Sequence, residues 1–185
     1  MEGGDNKSLN SNNNNSQPSQ PTPSSKRASL RLANLNPSAP LASNSLDSSL
    51  KKNTAFIKRL KTGLHASENV QVLIKETGTL SLDKYLSEIS IALNEGLAKC
   101  KSATEIWGAI EVISTLHQRF SSSFIEPFIQ QFLSGLALPS KQYLAGLAAD
   151  QREREENSRI IRQRSLLRCL AEFDLTGHLP TDDAP

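Results

Sequence analysis

Apolar residues recur along this chain at helical spacing and nowhere at the alternation of a strand. From Leu46 to Thr62 it reads LDSSLKKNTAFIKRLKT. At about 100° per residue, Leu46, Leu50, Asn53, Ile57, Leu60 and Leu64 fall along one side of a helix. Lys51, Lys58 and Lys61 flank that stripe, and Lys52 and Arg59 lie round the back, so the basic groups form an arc facing away from it. Gly63 is placed to stop this helix. Asp47 in its first turn and Lys61 in its last match the sign of the helix dipole.

Three later helices are expected to start with one device. Ser81, Ser102 and Ser123 each precede an apolar-periodic run and can cap it through the side-chain oxygen. Ser102 with Glu105 and Ser123 with Glu126 have capping-box spacing, while Ser81 has Lys84 with Asp83 as the early acid. The serines recur every 21 residues, so two such helices fit the roughly 40–47-residue period of HEAT-type pairs. The first run carries Leu82, Leu86, Ile89, Leu93 and Leu97, the second Ile106, Ile110, Ile113, Leu116 and Phe120. The third carries Phe124, Phe128, Phe132, Leu133 and Leu136, with Pro127 expected in its first turn and Gly135 at its end. A short helix is expected from Glu68 to Lys75.

After Pro139 the pattern lapses, and Gln142 to Asn157, including the charge run DQREREEN, reads as a mobile linker with helical tendency. A last helix from Ser158 carries Ile160, Ile161, Leu166, Leu167, Leu170 and Phe173 and is closed by Gly177 and Pro180. The class is therefore all-α, an antiparallel array of HEAT-type helical hairpins over 45–177.

The first forty-four residues add nothing to a core. Ser, Asn, Gln and Pro dominate them, as in NNNNSQPSQPTPSS, and such a composition cannot offset its ordering entropy by burial. They are expected to form a disordered tail, with 178–185 a second tail. Between Met1 and Thr62 there are nine Lys/Arg against three Asp/Glu, although the whole chain carries a formal charge of only +2. A polyanion contact therefore belongs to the N-terminal side.

Cys100 and Cys169 sit at apolar helix positions without CxxC spacing, which reads as two buried thiols in a reducing compartment. No apolar run approaches membrane-spanning length. His65, His117 and His178 do not converge in the sequence with nucleophile or acid motifs, and there is no P-loop, Rossmann fingerprint or metal-ligand spacing. No enzyme activity, cofactor, metal or small-molecule substrate is expected. His117 reads as a half-buried helix residue and Trp107 as a packing residue, with a partner anchor as its alternative. The arginines of the last helix alternate with Glu153, Glu155, Glu156 and Glu172, as on a solvated face. For Lys51, Lys52, Lys58, Arg59 and Lys61 two readings stand level: the wet side of an amphipathic helix, or a contact with RNA or an acidic partner.

LDSSLKKNTAFIKRLKT resembles the opening helix of the first middle domain, of initiation factor 4G type, in the regulator of nonsense transcripts 2 family. That family supplies the up-frameshift scaffold of nonsense-mediated decay. The resemblance extends to Ser81, Lys84 and Tyr85, to Leu116, His117, Gln118, Arg119 and Phe120, and to LLRCLAEFDLTG from Leu166 to Gly177, where Phe173 and Asp174 depart from the pattern. It implies a non-enzymatic, RNA-associated scaffold, cytoplasmic or perinuclear, whose partners are up-frameshift surveillance proteins and mRNA. A general RNA-binding or translation-initiation helical scaffold is the alternative. The family's domain continues where this chain stops, so an unfinished array with an uncovered apolar face after Phe173 is expected.

Overall fold

A computed structural model describes residues 22–37 and 46–179. Of the expected N-terminal tail, 1–21 and 38–44 lie outside the described residues, as do residue 45 of the expected helical array and 180–185 of the expected C-terminal tail.

Residues 22–37 correct the tail reading, because they hold helix α1, Pro23–Leu35. Thr22 caps it by accepting from the Ser25 N–H at 3.2 Å, and Pro23 occupies the first helical position, where its missing N–H is not needed. The docking face is Arg27, Leu30, Arg31 and Asn34, at i, i+3, i+4 and i+7. Three of those four are polar, so no apolar stripe announces the helix.

The remaining helices are α2 (Leu50–Gly63), α3 (Ser67–Thr79), α4 (Leu86–Leu97), α5 (Ala103–Phe120), α6 (Ser122–Ser134), the short α7 (Lys141–Ala145) and α8 (Ala149–Leu175), with a 3-10 turn at Asp83–Tyr85. They stack in two layers. α2, α4 and α6 lie side by side, α3, α5 and α8 form the second layer, and α1 rests on α5 and α8. Two glycines permit the stacking: a Cβ on Gly96 would lie 2.3 Å from the Leu60 carbonyl oxygen, and one on Gly108 would lie 2.7 Å from Val70 Cγ2.

The core runs the length of this array. Its densest part is aromatic, where Phe124, Phe128 and Phe132 repeat every fourth residue along α6 and the last two meet Phe173 of α8, whose ring lies 5.0 Å from that of Phe132 in an edge-on arrangement. All four rings are buried, and each contributes on the order of 1.5–3 kcal/mol by leaving water.

Of the three expected serine starts, only Ser102 caps a helix. It accepts from the Glu105 N–H at 3.2 Å, while the Glu105 carboxylate accepts from the Ser102 N–H at 3.2 Å. Ser81 instead joins an isolated parallel bridge, donating its N–H to the Asp47 carbonyl at 2.9 Å. α6 starts at Ser122, directly after Ser121, which has φ 48 and serves as the joint between α5 and α6. Pro127 therefore lies in the second turn rather than the first, and the Ser123 carbonyl that it cannot reach belongs to an exposed residue.

The expected linker is helix as far back as Ala149. Gln, Arg and Glu are strong helix formers, and Arg154–Asp150 (3.8 Å) and Arg159–Glu156 (2.9 Å) add side-chain pairs one turn apart. Burial begins only at Ser165, so periodicity was silent over the first half. At the other end α8 closes on Gly177, at φ +72. The His178 N–H returns to the Phe173 carbonyl (2.9 Å) and the Gly177 N–H to that of Asp174 (3.2 Å), the Schellman pattern. This turn carries His178 into the core, where it is 4 % exposed. The expected C-terminal tail thus begins after it.

Candidate interaction surface

The basic residues of α2 do not behave alike. Its buried face is Asn53, Phe56 and Leu60, continued by Leu64, whereas Leu50 is the first helical residue and 67 % exposed. The apolar stripe is therefore rotated toward Phe56, and Leu46 lies outside the helix. Lys52 bonds Asp47 at 2.5 Å, Arg59 pairs with Glu76 of α3, and Lys61 pairs with Glu95 of α4 at 2.9 Å. Asp47 consequently sits below its ordinary pKa, held there by the Lys52 hydrogen bond and then by the Ser49 N–H. Among the described residues, Lys51 and Lys58 are exposed and have no acidic partner. Of the five expected contact residues, these two remain open outward.

The Leu-His-Gln-Arg-Phe segment that carries the resemblance holds helices together. Gln118 donates to Asn34 Oδ1 at 2.9 Å. Arg119 donates to the carbonyls of Thr77 and, at 2.9 Å, Leu80, satisfying the C-terminal end of α3 while its guanidinium lies over Phe120. His117 packs its ring against His178 at 5.3 Å between centroids.

His178 stands in a polar knot. Its Nδ1 lies 2.8 Å from Thr176 Oγ1 and its Nε2 lies 3.2 Å from Ser114 Oγ and 3.4 Å from Asn34 Nδ2. The Thr176 hydroxyl donates to the Glu172 carbonyl, so it accepts from His178 Nδ1–H, and Nε2 is the acceptor. Burial, and then the neighbouring His117, push His178 down to about 3; burial lowers His117 as well. The Ser114–His178 contact has the atoms of a nucleophile and base, but Ser114 is fully buried and the group behind the ring is a hydroxyl rather than a carboxylate. The pair is a structural lock. It pins α1 to α5 and to the end of α8.

Burial raises both Cys100 and Cys169 to about 12, so neither forms thiolate at neutral pH. Among the described residues no group of His, Cys, Asp and Glu is placed to hold a metal, and no helix is long and apolar enough to cross a membrane. Trp107, half-buried, donates its indole N–H to Glu111 at 3.0 Å and receives the Arg27 guanidinium at 5.8 Å from its ring centroid. It therefore packs as expected, yet it also lines two open clefts, of about 320 and 160 Å³. The sequence reading missed α1 and the Trp107 surroundings; the one available signal was Thr-Pro-Ser-Ser at 22–25, a cap followed by proline at the first helical position.

Two stacked layers of helices, joined helix to helix by polar contacts, make an all-helical domain whose fold matches that of solved MIF4G domains. The solved N-terminal mIF4G domain of Saccharomyces cerevisiae Upf2 superposes with a TM-score of 0.72 at 33% identity, over 88% of this chain and 50% of that one. The first MIF4G domain of human UPF2 gives 0.61 at 27% identity, over 84% and 46%. No family model matches the chain. It is a homologue of the Upf2 regulators of nonsense-mediated decay. It is 39% identical over 146 residues to nonsense-mediated mRNA decay protein 2 of Schizosaccharomyces pombe and 40% identical over 146 residues to that of Saccharomyces cerevisiae. These alignments cover 75% and 78% of this chain and 14% and 13% of the two relatives, so the chain spans about a seventh of their length.

Proposed function

We propose that this chain acts as a non-enzymatic scaffold in nonsense-mediated mRNA decay, in the cytoplasm, assembling with up-frameshift surveillance proteins on mRNA. The observation that carries this reading is agreement in sequence and fold over the same helices, 33% identity with a TM-score of 0.72 against a protein described as involved in degrading mRNAs that contain premature stop codons. The internal commitment of His117, Gln118 and Arg119 supports it, since the matching segment preserves an architecture rather than a reaction centre. Lys51 and Lys58 are the α2 residues assigned to an acidic partner or RNA backbone; Lys52, Arg59 and Lys61 serve mainly as struts. Affinity purification of the tagged full chain, with and without nuclease, tests this. Surveillance proteins are expected to co-purify, and their recovery is expected to fall with Lys51→Glu and Lys58→Glu but not with Lys52→Gln. Absence of surveillance proteins from both samples would refute the scaffold reading.

A further inference from the structure

We propose that the cleft where α1, α5 and α8 meet binds a short acidic segment of a partner protein, with an apolar side chain seated against Trp107 and carboxylates held by Lys26 and Arg168. This goes beyond the scaffold reading, because it names a partner surface and its chemistry away from the outer face of α2.

Three helices build this cleft of about 320 Å³: α1 contributes Pro23, Lys26 and Arg27, α8 contributes Arg168 and Glu172, and α5 contributes Trp107. Glu172 is the carboxylate that lines it, and both of its oxygens accept from Arg27, at 2.7 and 2.6 Å. Lys26 and Arg168 are exposed and have no acidic partner among the described residues. The cleft therefore presents two uncompensated cations, one from α1 and one from α8, and its one anion is already neutralised. Charge complementarity calls for an acidic ligand.

Trp107 is half-buried, and its indole N–H already donates to Glu111 at 3.0 Å. What it offers a ligand is therefore ring surface. A tryptophan beside arginine in a concave site is the composition of an interface anchor. The volume is at the small end for a ligand site and suits one or two side chains of a peptide. A phosphate backbone fits less well. Running on past the ring, it would enter the 160 Å³ cleft lined by Glu105 and Glu111, which holds no lysine or arginine, whereas a short peptide needs only the larger side.

A phage-displayed library of random peptides, selected against the full chain, tests the site. Enriched peptides are expected to carry an aromatic or aliphatic residue between acidic ones. Their affinity, read by anisotropy of the labelled peptide, should fall about tenfold with each of Lys26→Glu, Arg168→Glu and Trp107→Ala, and should keep most of its value in Trp107→Phe and Lys141→Glu. Lys26, Arg168 and Lys141 are exposed, so their variants stay folded, and circular dichroism verifies it. Because α1 forms part of the cleft, bound peptide should also slow hydrogen exchange at 24–35. Selection of no peptide, enrichment without acidic residues, indifference to both charge reversals or no added protection of α1 would each overturn the proposal. Oligouridine that binds with the same dependence on Lys26, Arg168 and Trp107, where no acidic peptide does, would assign the cleft to nucleic acid instead. Failure of the peptide site would leave recovery of surveillance proteins, and its dependence on Lys51 and Lys58, untouched, so the two readings fail separately.

Discussion

Arg27 and Glu172, 145 residues apart, form a two-pronged ion pair: Nε to Oε2 at 2.7 Å and Nη2 to Oε1 at 2.6 Å. It fastens α1 to α8, and Arg31 adds a bond from Nη1 to the Asp174 carbonyl at 2.8 Å. The side chains are 32 % and 14 % exposed, so solvent screening limits the stabilisation to about 1–2 kcal/mol. Arg27→Ala should release α1 without unfolding the array. In hydrogen exchange the amides of 24–35 would lose protection while those of α4 and α5 keep theirs, and Arg27→Lys would restore only part of the loss.

Asn34 should matter more. It is 3 % exposed, donates to the Thr176 carbonyl at 2.8 Å and accepts from Gln118 at 2.9 Å. Asn34→Leu removes both bonds and leaves the Thr176 carbonyl and the Gln118 amide facing an apolar group. A loss of about 2–3 kcal/mol in urea unfolding is expected, and Gln118→Ala in the same background should add little, since the two share one interaction.

His178 gives the protein an acid sensitivity of definite sign. Its folded-state pKa, about 3, lies below the ordinary 6.5, so the unfolded chain takes up a proton that the folded chain refuses. Its contribution is complete above pH 6.5 and diminishes as pH falls toward 3, by up to ~1.4 kcal/mol per pH unit. His117, lowered by burial, acts in the same direction. The urea midpoint should therefore fall between pH 6.5 and pH 4. In His178→Gln that slope should shrink, although the variant is less stable at neutral pH.

Gly96→Ala probes the close approach of α4 to α2 within their layer. The added methyl would sit 2.3 Å from the Leu60 carbonyl oxygen and 3.1 Å from Leu64 Cβ, and backbone cannot yield as a flexible side chain can. Destabilisation of about 1–3 kcal/mol is expected despite the better helix propensity of alanine. Gly78→Ala, with nothing within 4 Å of the new Cβ, is the control and should stabilise by a few tenths of a kcal/mol. Thermal unfolding of the two variants checks the contrast.

The amino-acid sequence by itself determined the helical class, the Ser102–Glu105 cap, the stop at Gly177 and most of the core, because periodicity and capping are read from residues a turn or two apart. The same local rules overreached at Ser81 and Ser123, where cap-like spacing is unused, and missed the first half of α8, whose helix forms from propensity and ion pairs without burial. Only the tertiary structure decided that 22–37 contains a docked helix. Its partners, Glu172, Asp174 and Thr176, lie more than 140 residues away, and a docking face made of arginine and asparagine carries no hydrophobic signature. The candidate site divides the same way. That α2 is basic was legible, but which lysines stay open depends on whether Glu76 and Glu95 arrive from neighbouring helices. Charge is a property of sequence; its neutralisation is set by packing.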